Sequence, residues 1–391
     1  MKTFLLLLLV VSIISCTNYE ELKPEDYTCF TLPAIAQDHP RADEFQNFVN
    51  AKVREGLPGL NMMVRTNDGR AWFGAAGKAD IHNNITLSPC HRMIIASVSK
   101  IATAAAVFKL VDAGKIDINN KLSDYLSGEY MDKIENAKEV TIEQLLDHTS
   151  GLFDYLNPTK WELTSINEPY KSESPAEKLK FAYGKSPDHA PGETYAYSNT
   201  NYVLLGLLVE KVSGQTLATF LAEQIFIPLG LNSVFVGDEQ THLRNGTPKG
   251  YLDIHGNETL IESEFWYHYD LATGDGGIIT TMYDLGIFIE ELLAGNVISS
   301  ASLATMKDDF ELPEDWKGFY HERNGHGFEI YETPYGTAYG HTGAVYGFLT
   351  IAWHFPDSGV TIIHSINGVS DKIFDIREQL TDDLMKMVFE E

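Results

Sequence analysis

Apolar positions over 96–114 do not keep to one stripe, which marks a helix buried on nearly all sides. Ala is frequent there, Pro and Gly are absent from the interior, and Gly114 stands where a left-handed residue would stop the helix. Upstream, 41–55 reads as an amphipathic helix with Phe45, Phe48, Val49 and Val53 on one face, ended by Gly56-Leu57-Pro58-Gly59. A strand over 60–65 turns at Asn67-Asp68-Gly69 into a second over 71–74, a hairpin signal. The mostly polar stretch 77–90 then reads as a loop that delivers the chain to the buried helix.

Beyond it the pattern predicts an extended piece over 115–118, a short helical one over 121–126, and a helix capped by Thr141 that stops near Gly151. Residues 163–191 are rich in Ser, Glu, Lys and Pro and read as surface loop with one helix over 175–183. Apolar helices are predicted over 202–212, closed by Gly214, and over 217–226. A loop-rich region then runs to Gly274-Asp275-Gly276-Gly277, and Thr281 caps a helix over 282–293. Near the C-terminus 347–355 and 360–366 are apolar enough for the middle of a sheet, and Pro356-Asp357-Ser358-Gly359 joins them in a tight turn. Glycines in the strand ahead of them, 339–344, imply that another backbone approaches closely there. A last amphipathic helix carries Ile373, Ile376, Leu380, Leu384 and Met387 on one face, and the chain shows no internal repeat.

The 391 residues are 44% hydrophobic and 21% charged, enough for a large core in two or three domains or in one catalytic fold with an insertion. A net charge of −26 argues against nucleic acid and acidic membrane surfaces as partners. Met1-Lys2-Thr3 and the apolar run 4–14 have the positive start and short hydrophobic core of a secretory signal. That run falls well short of the roughly 20 residues that span a bilayer. It ends Ile13-Ile14-Ser15-Cys16, which resembles a bacterial lipobox. Residues 1–15 are therefore expected to be removed and Cys16 lipidated, with 16–39 a polar tether on the cell-envelope side, periplasmic or surface-facing. An ordinary signal cleaved nearby, with Cys16 incidental, is the alternative. Cys29 and Cys90 either pair or stay as separate thiols.

Candidate chemistry begins with Ser97 and Lys100, three apart and so on one helical face. A lysine held among apolar neighbours loses solvation of its charged form, which frees an amine to act as base for a serine attacking a carbonyl. In a first turn, Ser97 would also have the positive end of the helix dipole beneath its oxyanion. Ahead of an apolar helix, Ser198 and Asn199 are either simple caps, or Tyr197 presents a phenol and Asn199 an amide to the same pocket as Ser97. His148 reads as a hydrogen-bonding loop anchor. Neither His-Glu-x-x-His nor His-x-His-x-Asp occurs, nor does a Gly-x-Ser-x-Gly elbow, so a zinc hydrolase and an α/β-hydrolase are disfavoured.

Ser97-Val98-Ser99-Lys100, Tyr197-Ser198-Asn199 and His341-Thr342-Gly343, in that order, resemble the three-motif signature of the serine β-lactamase and penicillin-binding superfamily. The Tyr-x-Asn form is similar to that of the class C β-lactamase and DD-carboxypeptidase branch. Leu145-Leu146-Asp147-His148-Thr149-Ser150-Gly151-Leu152, Pro191-Gly192-Glu193 and Gly347-Phe348 fit as flanks. The resemblance implies an α/β (α+β) fold: an antiparallel sheet flanked by N- and C-terminal helices, with a mostly helical subdomain inserted. The sheet layer would take about 40–95 and 322–391 of a 40–391 domain, and the helical part about 96–320.

By position, the resemblance also implies that Ser97 is acylated while Lys100 and Tyr197 share the proton traffic, with either as base. Asn199 would orient Lys100 and the substrate amide, and the backbone N–H groups of Ser97 and Ala344 would form the oxyanion hole. A peptide would pair along the strand of Thr342 and Gly343. His341 replaces the commoner lysine and offers less positive charge to a substrate carboxylate. His-Thr-Gly is similar to the motif of some DD-carboxypeptidases, which points to D-alanyl-D-alanine carboxypeptidase-like cleavage of a peptidoglycan-type peptide or another small acyl substrate. The rivals are a β-lactamase, a D-aminopeptidase, a small-ester esterase, and a penicillin-binding sensor that acylates once. No metal and no organic cofactor are expected.

Overall fold

Phe45 and Val49 lie on one face of the first helix, and burying both fixes that helix, α1 (Ala42–Glu55), against the sheet, with the Phe45 ring 5.4 Å from that of Trp72. The computed structural model describes residues 39–390 apart from 158, 160–162, 165, 166, 168–172, 237–246 and 264–272. The predicted leader, Cys16, Cys29 and the tether up to residue 38 lie outside the described residues. Cys90 is disulfide-bonded.

After α1 come β1 (Gly59–Arg65), β2 (Ala71–Asp80) and β3 (Ile85–Thr86). Strand β2 runs past the expected 71–74 because its small residues pair with β1 as far as Gly59↔Gly77, and β3 falls where a loop was expected. A 3-10 turn, Ala96–Val98, leads into α2 (Ser99–Asp112), which is buried nearly all round. Thr141 and Gln144 form a reciprocal cap on α3 (Ile142–Leu146), which ends before Gly151 because Asp147 turns its carboxylate onto the Thr149 N–H and His148 takes a φ of 63°. Helices α4 (Pro175–Leu179), α5 (Asn199–Ser213, closed by left-handed Gly214) and α6 (Met282–Leu293, capped by Thr281) follow. No strand forms over 115–118.

The chain then returns to the sheet as β4 (Phe310–Glu311), β5 (His321–Asn324), β6 (Glu329–Thr333), β7 (Gly336–Val345), β8 (Phe348–Phe355) and β9 (Val360–Ile366), and ends in α7 (Asp371–Phe389). The strands form one antiparallel sheet in the order β3-β2-β1-β9-β8-β7-β6-β5-β4, so the N-terminal hairpin closes against the last strand. Successive side chains leave opposite faces. Met62, Val64 and Ile362 pack with α1 and α7, whereas Met63 and Ile363 pack with the helical part. The fold is thus a mixed α/β (α+β) arrangement: an antiparallel sheet, terminal helices on one face, and a helical region inserted on the other.

Candidate active site

Three separate segments meet where the inserted helices touch the sheet. Ser97 sits in the 3-10 turn and is partly exposed, whereas every other residue of 91–100 is buried. Ala96 just before it has a φ of 48°, a left-handed conformation that costs a non-glycine residue free energy and is over-represented at functional sites. Strand β7 presses on this turn. A Cβ on Gly343 would stand 2.3 Å from the Ile95 carbonyl oxygen, so only glycine lets the strand come this close.

One helical turn on, the fully buried Lys100 Nζ lies 3.0 Å from Ser97 Oγ, 2.8 Å from Asn199 Oδ1 and 2.8 Å from the Asp275 carbonyl oxygen. The last two atoms only accept, so each takes an amine hydrogen. The contact to Ser97 is the one of these three that can run either way, from ammonium to hydroxyl or from hydroxyl to free amine. Asn199 opens α5, and its amide orientation is fixed because Nδ2 donates to Asp154 Oδ2 at 3.1 Å. Burial pushes the Asp154 carboxyl up to about 6, against the pull of the Leu156 N–H, Asn199 and Lys100.

Asp275 is itself held by a buried network. Its carboxylate accepts from the Tyr155 hydroxyl at 2.7 Å and from Thr273 Oγ1, which in turn accepts from the buried Lys178 Nζ at 2.9 Å. Burial opposes charge on Asp275, but Lys178 and Lys100 outweigh it and hold the carboxyl below its ordinary value. A Cβ on Gly274, at a φ of 101°, would lie 2.3 Å from the Tyr202 carbonyl oxygen. That close approach seats the loop on α5 and brings the Asp275 carbonyl within reach of Lys100.

Tyr197 packs its ring 4.4 Å from that of His148 and 4.9 Å from Lys100 Nζ, and its hydroxyl hydrogen-bonds with Ser97. Burial pushes this phenol well up, and the negative charge of Glu329 adds to the effect, so it stays protonated at neutral pH. His148 is an anchor, as read: its Nδ1 accepts the Ser198 N–H at 3.1 Å, and burial pushes its pKa well down.

On the strand side the His341 ring centre is 6.2 Å from that of Tyr197. Beneath lies Glu329, whose Oε2 accepts the Thr342 N–H at 2.6 Å, the Thr342 hydroxyl at 3.0 Å and the Tyr331 hydroxyl. Burial opposes charge on Glu329; the His341 and His321 rings while they carry a proton, and these hydrogen bonds at any pH, more than offset it, so the carboxylate persists. Burial pushes His341 down despite the Glu329 oxygen 3.5 Å from its Nδ1. Ser97, Asn199, Asp275 and Ala344 line one cleft of about 340 Å³, walled by Leu156, Leu252, Val345 and Val369. Among the described residues no group of three or more His, Cys, Asp or Glu side chains could hold a metal ion.

A family model described as Beta-lactamase matches residues 43–384. The chain belongs to the β-lactamase family. It is a serine hydrolase of that family, and proteins named as penicillin-binding and as putative carboxypeptidases are among its relatives. It is 28% identical over 295 residues to "Penicillin-binding protein 4*" of Bacillus subtilis, a match spanning 71% of this chain and 61% of that one. It is 25% identical over 348 residues to a Salmonella typhi protein named "Putative D-alanyl-D-alanine carboxypeptidase", covering 79% of each. In fold it is similar to the D-amino acid amidase of Ochrobactrum anthropi SV3, with a TM-score of 0.75 at 21% identity over 88% of this chain and 98% of that one. A penicillin-binding protein from Bacillus halodurans gives 0.72 at 23% identity over 86% and 98%.

For this β-lactamase-family chain the motifs exposed Ser97, Lys100, Tyr197, Asn199, His341, Thr342, Gly343 and Ala344, but not the residues behind them. Asp154 and Asp275 come from loops, Lys178 from α4 and Glu329 from β6, all far away in sequence. A signal existed for Asp275 alone: an acidic residue inside a glycine run is unusual in a loop that only connects.

Proposed function

We propose that the chain hydrolyses small D-amino-acyl peptides or amides through an acyl-enzyme on Ser97. The observation that carries this is Lys100, whose Nζ is fixed by Asn199 and Asp275 so that its remaining direction faces Ser97 Oγ at 3.0 Å. Ser97 Oγ bonds to the acyl carbon as its proton passes to the Lys100 amine, and the oxyanion is taken by the Ser97 and Ala344 N–H groups. The carbon–nitrogen bond then breaks as the leaving nitrogen receives a proton from the protonated Tyr197, which recovers one from Lys100. Water attacks the ester by the reverse route. Carboxypeptidase-like cleavage has the support of the sequence relatives' names, and amide hydrolysis that of a structural neighbour's; both attack the same kind of carbonyl.

The test is a panel run side by side: a D-Ala-D-Ala peptide, D-alaninamide, a chromogenic cephalosporin and a p-nitrophenyl ester. Turnover of a D-amino-acyl substrate, cut by roughly 10³-fold or more in Ser97→Ala and in Lys100→Met, is the expected result. Absence of hydrolysis of all four, with no adduct on Ser97 by mass spectrometry, would sink the proposal; a lasting penicillin adduct without turnover would make the protein a sensor. We further propose export and lipidation at Cys16, which places the enzyme on the envelope. A clickable fatty acid should label the wild type and not Cys16→Ala, and equal labelling of both would refute the anchor.

A further inference from the structure

The hydrogens that line the cleft are mostly spoken for. Lys100 gives hydrogens to Asn199 Oδ1 and the Asp275 carbonyl, Asn199 Nδ2 gives one to Asp154, and the Tyr155 hydroxyl gives its own to Asp275. Thr342, half-exposed on the strand side, gives both its N–H and its hydroxyl hydrogen to the buried Glu329 carboxylate. What the Thr342 hydroxyl turns to a ligand is therefore lone pairs, which accept and cannot donate. His341 directs Nδ1 at the Thr342 carbonyl oxygen and toward Glu329.

The charges point the same way. With His341 neutral, the third motif and its underlay carry the one negative charge of Glu329 where a lysine would bring a positive one. Among the described lining residues Asp275 alone carries a formal charge, which Lys178 and Lys100 offset; the remaining wall is largely apolar, including Leu252 and Val369. A ligand carboxylate placed on this strand would lose its water and meet lone pairs, hydrocarbon and a like charge, a costly combination. An amide N–H would find in Thr342 an acceptor made more basic by its bond to Glu329.

We propose that this site selects substrates whose leaving group carries no carboxylate, namely acyl amides and esters with an uncharged leaving group, and that Glu329 sets the preference through Thr342. The proposal rests on the acyl-enzyme reading above and narrows it. Glu329 is a positioning residue here, because it acts on the substrate through the Thr342 hydroxyl and through its field.

The experiment compares N-acetyl-D-Ala-D-Ala, with its free C-terminal carboxylate, and the same dipeptide as its C-terminal amide, on the full chain at pH 7. Expected is a kcat/KM at least tenfold higher for the amide. Glu329→Gln keeps an accepting oxygen but removes the charge, and should bring the two substrates within about threefold; damage to packing alone would lower both together and leave their ratio unmoved. Should that variant not fold, His341→Lys supplies the opposite charge and should raise the rate on the carboxylate substrate relative to that on the amide. Equal or faster cleavage of the carboxylate form by the wild type overturns the proposal, as does an unchanged ratio in both variants. If neither dipeptide is cleaved, protection of Ser97 from a fluorescent fluorophosphonate reads binding directly: protection by the amide and not the acid supports the preference, and equal protection overturns it. Ser97 that reacts with no acylating probe removes the acyl-enzyme reading itself and this proposal with it.

Discussion

On the helical wall of the cleft one buried carboxylate, Asp275, stands between two buried amines, Lys100 and Lys178, while on the strand wall Glu329 stands under a neutral histidine and is satisfied by hydroxyl and amide hydrogens. Both carboxylates are buried and both stay charged, but for different reasons. Asp275 is balanced by the Lys178 charge and the Thr273 and Tyr155 hydroxyls, with Lys100 adding to them while it carries a proton, so its field is largely cancelled and its role is geometric: its carbonyl oxygen aims the Lys100 amine. Glu329 is balanced by dipoles, which satisfy its lone pairs yet leave its charge felt across the site, where it helps to keep Tyr197 protonated. A cleft with one neutralised wall and one negative wall can keep an amine to collect a proton and a phenol to deliver one.

The sharpest way to break this comparison is to take away one of the balancing charges. Lys178→Met keeps the length and apolar stem of the side chain but leaves Asp275 with the Thr273 and Tyr155 hydroxyls and a single amine. Removing one partner of a direct buried ion pair costs about 3–5 kcal/mol, and because Lys178 acts on Asp275 through the Thr273 hydroxyl the lower end of that range applies. The expected outcome is a loss of unfolding free energy of that size in urea, largely restored when Asp275→Asn is added. Were the double variant as unstable as the single one, Lys178 would be a packing residue and the helical wall would not be charge-balanced.

What the sequence disclosed and what it hid divides along the same line. Ser97 with Lys100, and Tyr197 with Asn199, were legible because helix geometry places residues three apart together, and a helix start presents its first residues together, whatever the rest of the chain does. The helix over 282–293 and strand 360–366 were legible for a like reason, a cap or turn beside an unbroken apolar run. The glycines of 339–344 even disclosed the close approach: a Cβ on Gly340 would lie 1.8 Å from the Ala352 carbonyl oxygen, and one on Gly343 2.3 Å from that of Ile95. Strand β5, His321-Glu322-Arg323-Asn324, is polar throughout and near the sheet edge, so no apolar alternation marked it. The partners Asp154, Lys178 and Glu329 were hidden, and the role of Asp275 showed only as an acid inside a glycine run, because each is defined by a contact across the fold, 175 residues along the chain for Asp275 and Lys100. No local pattern encodes such a contact.

A smaller test sharpens the helical wall from its other end. Asp154 accepts the Asn199 N–H at 3.2 Å and its Nδ2 at 3.1 Å, and burial raises its pKa to about 6. Since the folded value lies above the unfolded one, the folded protein takes up the proton first. The charged form therefore weakens the fold above pH 6, and stability is regained as pH falls through 6 toward 4. Activity should move the other way. A protonated Asp154 has one accepting oxygen fewer for the Asn199 amide, whose Oδ1 then holds Lys100 less firmly. Between pH 7 and pH 5 the wild type should lose about tenfold in Ser97 acylation rate, as expected for a required carboxylate one unit below its pKa. Over the same range it should gain about 1 kcal/mol in unfolding free energy relative to Asp154→Asn. In Asp154→Asn neither change should appear near pH 6. Acylation and stability that fall together on acidification would instead place the titrating group elsewhere and leave Asn199 oriented by packing alone.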